Sequence, residues 1–172
     1  MNEEKILGII QKFSKKLPHF PDGRINYSSS RTAPVINVVV KHKDKILLLK
    51  RSDKVNSYKG KWNTIGGYLD ELKPVKEKVF EELREELGIK CANENIYFGE
   101  IYEFHDTEIG KTWIICPVLV EFPRKPRIRL DWEHTDYSWV KPEEISHYDT
   151  VPKLGDVLDR VINAGYKKLL SL

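Results

Sequence analysis

Apolar residues recur along this chain with two periods, one helical and one strand-like, and the two alternate from end to end. Ile6, Ile9, Ile10, Phe13 and Leu17 share one face at 3.6-residue spacing, predicting an amphipathic helix over Glu3 to Leu17 with Asn2 as N-cap. Pro18, Pro21 and Asp22-Gly23 then make a turn-rich passage, and Ser28 to Ser30 a loop. Ala33 to His42 reads as a strand buried on both faces, turning at Lys43-Asp44 into a second strand, Lys45 to Arg51. A second helix runs from Pro74, suited to a first helical position, to Gly88 just past the end. Val75, Val79, Phe80, Leu83 and Leu87 form its apolar arc, with Lys76 the misfit. Ile96 to Phe104 alternates but changes phase near Gly99, which predicts a bulge. Thr112 to Phe122 is a further strand, whose Pro117 predicts an edge or a bulge. Thr150 and Pro152 open a last helix with Leu154, Val157, Leu158, Val161 and Ile162 in register. Strands interleaved with helices and hairpins imply an α/β fold in which a mixed sheet lies between helical layers.

On the second helix Glu82, Glu85 and Glu86 stand at i, i+3, i+4 and so share a face. Glu82 and Glu86 fall at the edge of the apolar arc, where a carboxylate is partly desolvated and needs a proton, a basic partner or a cation. Several carboxylates converging with backbone carbonyls suit hard Mg²⁺ or Mn²⁺ better than zinc. The competing reading is a solvated acidic face relieved by Lys78 and Arg84.

At this point the residues resemble the Nudix hydrolases. Gly67, Glu82, Leu83, Glu85, Glu86, Gly88 and Ile89 fall in register with that family's box, while its first Glu is Lys73 here and its Arg is Glu81. Those two positions form an ion pair in the family, so the departures read as the same pair with its signs exchanged. The resemblance extends to Lys45 to Arg51 (KILLLKR) and Lys61 to Gly67 (KWNTIGG) before the box. After it, Trp132-Glu133-His134 and Tyr137 to Glu144 also match, so similarity covers about residues 33 to 165.

The resemblance implies a Nudix-like α/β/α sandwich and divalent-metal-dependent hydrolysis of a phosphoanhydride, in a nucleoside diphosphate linked to another group. It implies Mg²⁺ (or Mn²⁺) held by the Gly67 carbonyl with Glu82, Glu85 and Glu86, which also form the catalytic set; Glu82 is alternatively the general base. Glu133 is the expected extra ligand, ahead of Glu100 or Glu103. Arg51, closing its strand beside the site, together with Trp62 and Tyr102, is a substrate-binding candidate. Two other readings stand beside this one. The reversed charge at Lys73 fits a non-catalytic nucleotide-binding module, and Tyr58, Trp62, Tyr102 and Trp113 would offer stacking surfaces to an RNA end. The additional motifs associated with coenzyme A and reduced-nicotinamide hydrolases find no match.

At 172 residues the chain is expected to be one domain spanning 1–172, with a helix and turn-rich extension at 1–32 that docks on the core or on another subunit of a homodimer. No apolar run approaches a membrane span, and the acidic-then-basic start lacks a signal peptide's order, so a cytoplasmic location is expected. Cys91 and Cys116 share no ligand spacing and read as packed thiols. A net charge of +3 suits a small anionic, nucleotide-like substrate; nucleic acid is not the expected partner.

Overall fold

The computed structural model describes residues 2–92 and 94–169, with side chains for 3–92 and 94–162. Asn2 opens the first helix, but its side chain, and so its capping role, lies outside the described residues. Three helices, α1 (Asn2–Lys16), α2 (Val75–Leu87) and α3 (Leu154–Leu169), flank a sheet of eight strands. The strands are β1 (Thr32–His42), β2 (Lys45–Arg51), β3 (Trp62–Asn63), β4 (Ile65–Tyr68), β5 (Asn95–Phe98), β6 (Tyr102–Asp106), β7 (Lys111–Glu121) and β8 (His134–Val140). The main path runs β3-β2-β1-β7-β5, with β4 also on β1, β6 on β7 and β8 on β2. Only β1 and β7 pair in parallel among these contacts, so the sheet is mixed.

Strand alternation explains the sandwich. On β1, Ile36, Val38 and Val40 point into one apolar cluster and Val39 into the other. Likewise, Leu47 and Leu49 oppose Ile46 and Leu48 on β2, while Cys116, Val118 and Val120 oppose Ile115 and Leu119 on β7. The first cluster is closed by Ile6 and Ile10 of α1 and by Val75, Val79, Leu83 and Leu87 of α2. Leu154, Val157, Leu158 and Val161 of α3 close the second. The N-terminal helix therefore packs on its own chain's core, the first of its two expected seats. Burying each such aliphatic side chain contributes roughly 1.5–3 kcal/mol.

Several boundaries differ from the sequence expectation. Residues 96–104 form two strands because Gly99 interrupts them: its N–H bonds Pro117 O at 2.8 Å, and the register on β7 slips by one residue between Phe98↔Val118 and Tyr102↔Ile115. The predicted bulge is thus real and uses the missing N–H of Pro117, whereas an edge position is excluded, since β7 has neighbours on both sides. A Cβ at residue 99 would lie 3.2 Å from Arg160 O, Pro117 Cβ and Val161 Cγ1, which is why glycine stands there. Thr150 does not open α3; it bridges to Trp62, and the helix starts at Leu154. Pro74 caps α2 instead of entering it, with φ −52° and ψ 133°, while Glu3 Oε1 accepts the Val75 N–H at 3.1 Å. At the other end Gly88 is left-handed at φ 67°, and the N–H groups of Gly88 and Ile89 close on Arg84 O and Leu83 O.

Candidate active site

The box loop and α2 meet through the absent side chain of Gly67. A Cβ there would lie 2.5 Å from Glu82 Oε1 and 2.8 Å from its Cδ, so only glycine leaves the Glu82 carboxylate in this place. Glu82 and Glu86 are buried although they are carboxylates, whereas Glu85, one step around the wheel, is exposed at the mouth of the cleft. Burial, then the charges of Glu82 and Glu133, push the Glu86 carboxyl well above the ordinary glutamate range. Glu133 is also raised, by burial first and then by Asp131 and Glu82, with Arg51 opposing.

Arg51 and Glu133 come together through a register shift between Lys50 and Arg51 in the β2–β8 pairing, locked by Ser52 N–H on Glu133 O at 2.7 Å. Arg51 Nε donates to Ser57 O at 3.0 Å, and burial lowers the guanidinium's pKa against the raising charges of Glu133 and Glu86. Beneath Glu86 lies His134, with Nδ1 3.1 Å from Asp131 Oδ1 and Nε2 3.8 Å from Glu86 Oε2; burial lowers its pKa, so the imidazole favours the neutral form.

A cleft of about 550 Å³ opens onto part of this group. Gly67, Glu82, Glu85, Arg51 and Glu133 line it, as do Tyr58, Phe104, Trp113 and Trp132. Tyr58, held at a positive φ of 52°, donates its hydroxyl to Asp106 Oδ2 at 2.6 Å and so fixes one wall. Asn63 also faces the cleft, and its buried Oδ1 has no hydrogen-bond partner.

Two expected substrate-binding residues lie elsewhere. Trp62 does not line the cleft: its ring packs edge-on against Tyr148 at 5.1 Å, and its backbone bonds Asp149 and Val151. Tyr102 lies under α3, with the Arg160 guanidinium 4.0 Å from its ring centroid and burial raising its hydroxyl to about 12. Glu100 pairs outward with Arg160 and Glu103 is exposed, so neither reaches the cleft. Of the stacking candidates, Tyr58 and Trp113 line it. The exchanged pair is in contact: Lys73 Nζ lies 2.6 Å from Glu81 Oε2 and also pairs with Glu71.

Lys78, expected only to relieve a solvated acidic face, is instead part of the site. Its side chain is 12% exposed, and its ammonium sits 2.8 Å from Glu82 Oε1, 3.7 Å from Glu81 and 3.8 Å from Asp70. Burial opposes its charge, but Glu82 and Asp70 outweigh burial and hold its pKa raised. The signal was available in the sequence, since Lys78 precedes Glu82 by four residues on the same face. Among the described residues no three His, Cys, Asp or Glu groups stand already converged on a cation position. The donor set nevertheless suits a hard cation. It is oxygen-rich, it lies against Gly67, and Glu86 and Glu133 carry a burial penalty that a cation would relieve.

Comparison with known proteins agrees with this geometry. A family model described as the NUDIX domain matches residues 30–161, and the chain belongs to that family. It is accordingly a Nudix-type hydrolase acting on pyrophosphate bonds. A curated relative, the nucleoside triphosphatase NudI of Escherichia coli O139:H28, is 27% identical over 130 residues, covering 69% of this chain and 89% of its own. A MutT protein from Methanosarcina mazei Go1 superposes with TM-score 0.62 at 27% identity, covering 75% of this chain and 91% of its own. An Ap4A hydrolase of C. elegans, in a binary complex, gives TM-score 0.62 at 18% identity over 81% of this chain and 98% of its own, which speaks to the fold alone.

Proposed function

We propose that the cleft hydrolyses a phosphoanhydride bond of a nucleoside polyphosphate, using Mg²⁺ or Mn²⁺ held by the Gly67 carbonyl with Glu82, Glu85 and Glu86, while Glu133 serves as base. The observation that carries this reading is the trio of mutually repelling carboxylates, buried Glu82 and Glu86 and half-buried Glu133, with Glu82 standing where Gly67 meets α2 at an aromatic cleft. A cation held there would neutralise phosphate charge and lower the pKa of the attacking water. Glu133, whose pKa burial has raised, accepts the water's proton on its carboxylate, and Arg51 beside it binds a phosphate oxygen. Trp113, Phe104 and Tyr58 shelter the nucleoside and exclude water. The relative named a nucleoside triphosphatase favours a triphosphate, and a nucleoside diphosphate linked to another group is the second substrate class.

We also assign residues 1–32 to the same domain, because Ile6, Ile10, Ile25 and Tyr27 share the buried cluster of α2. The free thiols Cys91 and Cys116, both raised to about 12 by burial, accord with a cytoplasmic setting. Among the described residues no helix is long and apolar enough to cross a membrane.

The test is phosphate and pyrophosphate release from a nucleotide panel with and without Mg²⁺, for the wild type and for Glu82→Gln. Loss of a ligand or base lowers kcat by roughly a hundredfold or more with the fold intact. Equal turnover by the two proteins refutes the site assignment.

A further inference from the structure

The chain before residue 30, outside the family match, contributes Arg24 to the lining of the cleft. His19 and Ile25 form a bridge across a tight turn, with the Phe20 N–H on Arg24 O at 2.8 Å and the Gly23 N–H on Phe20 O at 2.9 Å. This turn is tied to the loop between Gly67 and α2. The Ile25 N–H bonds Asp70 O at 2.8 Å, and the Tyr27 hydroxyl bonds Leu69 O at 2.8 Å. Glu3 on the N–H of Val75 secures the same segment from the other side.

The turn presents Arg24 to the cleft. Asp22 takes its Nε at 2.8 Å and its backbone N–H at 3.1 Å, and the Phe20 ring centroid lies 5.8 Å from its Cζ. The two terminal nitrogens are left over. The nearer acid, Asp70 Oδ2, is 3.9 Å from Nη1, beyond hydrogen-bond reach, and the side chain is 48% exposed. Asp70 in turn lies 3.8 Å from Lys78, which holds Glu82. Charges of alternating sign therefore run from Asp22 through Arg24, Asp70 and Lys78 to Glu82. An arginine oriented by its own aspartate, with a free fork at a cleft already lined by Arg51 and Lys54, is built to take a planar pair of anionic oxygens.

We propose that Arg24 binds a phosphate group of the substrate, making the N-terminal extension part of the active site. The inference rests on reading this cleft as the hydrolytic site. An Arg24 confined to structure would serve only to close the turn on Asp22, and the two roles differ in what its removal changes.

The probe is inorganic tripolyphosphate, titrated calorimetrically into the full-length protein without divalent cation, with unfolding midpoints measured in parallel. Arg24→Ala should weaken binding about tenfold or more, the scale of one charge-assisted hydrogen bond, with the midpoint unchanged. Arg24→Lys should fall between, because it keeps the charge and loses the fork. Lys125→Ala, an exposed cation over Trp139 away from the cleft, should match the wild type. On nucleotide substrates the Arg24→Ala loss should appear in KM more than in kcat. An unchanged tripolyphosphate affinity in Arg24→Ala, or a loss equalled by Lys125→Ala, overturns the proposal. A wild type that hydrolyses no nucleotide overturns the hydrolase reading instead, and tripolyphosphate binding still decides the role of Arg24.

Discussion

Lys73 and Glu81 offer a direct test of how this chain braces its box loop. Their charged atoms lie 2.6 Å apart and both side chains are less than one-third exposed. Burial would lower the Lys73 pKa, but hydrogen bonds to Glu71 and Glu81 hold it raised. Glu81 is held low, chiefly by Lys73. Two unit charges at about 4 Å attract by roughly 4 kcal/mol at an effective dielectric of 20; desolvation and side-chain ordering reduce that to a coupling of about 0.5–3 kcal/mol. Lys73→Glu sets three acids, Glu71, residue 73 and Glu81, against one another, and Glu81→Arg sets a third cation beside Lys73 and Lys78. Each single variant should lose about 1–2 kcal/mol, roughly 2–8 °C in Tm for a chain of this size. The double variant restores attraction between the two sites but leaves Glu71 beside the new glutamate and Lys78 beside the new arginine. Recovery should therefore be incomplete, and Glu71→Gln added to the double variant should regain more. The assay is thermal and urea unfolding of all variants at low salt and at ~1 M NaCl, where screening shrinks the coupling. Additive single losses, with no recovery in the double variant, would refute the pairing as the brace.

Gly67→Ala should leave the fold intact, since the clashing atoms are the mobile end of Glu82, yet it displaces that carboxylate and should cut kcat by roughly a hundredfold; Gly8→Ala, with nothing within 4 Å, should stabilise the helix by about 0.5–1 kcal/mol. Because the folded-state pKa of Glu86 is raised, the stability present at acid pH is lost as pH rises from the ordinary glutamate range through the raised value. Glu86→Gln should accordingly raise Tm at pH 7 in EDTA, show no such gain near pH 4, and abolish the stabilisation expected of the wild type on adding Mg²⁺, about 2.7 kcal/mol at a hundredfold excess over Kd; equal Mg²⁺ shifts in both proteins would remove Glu86 from the ligand set. Arg51→Ala should raise KM about tenfold, while Lys43→Gly, at a turn residue with φ 54°, should leave kinetics unchanged and add about 0.5 kcal/mol of stability.

The layered architecture was legible because period-two strands carry their own address. Once β1, β2 and β7 alternate between two apolar sets, two helical layers are required. The candidate site's geometry was legible where it depends on local spacing, as at Gly67 and the α2 glutamates. It was not legible where exposure depends on what covers a residue. Tyr102 and Phe104 share a face of β6, yet only Phe104 lines the cleft, because Arg160 of α3 covers Tyr102. Trp62 was lost to the cleft in the same way, through Tyr148 after the short 3-10 helix Pro142–His147. Arg24 could not be read as a cleft residue, since its place depends on a turn docking 46 residues away at Asp70.

The departures from the family box are best understood through charge placement around Glu82. Exchanging the signs at 73 and 81 keeps the net charge of the pair and keeps an attraction between loop and helix, so the loop bearing Gly67 stays anchored to α2. What changes is the neighbour on Glu82's own helix: position 81 now carries an acid, which would repel Glu82 unless a cation stood nearby. Lys78 supplies it, reaching Glu82 at 2.8 Å and Glu81 at 3.7 Å from one side of the helix. Lys73 screens Glu81 from the loop side. The two lysines thus act as one compensation for one substitution, which explains why a lysine on a nominally solvated face is 12% exposed and tied to three acids.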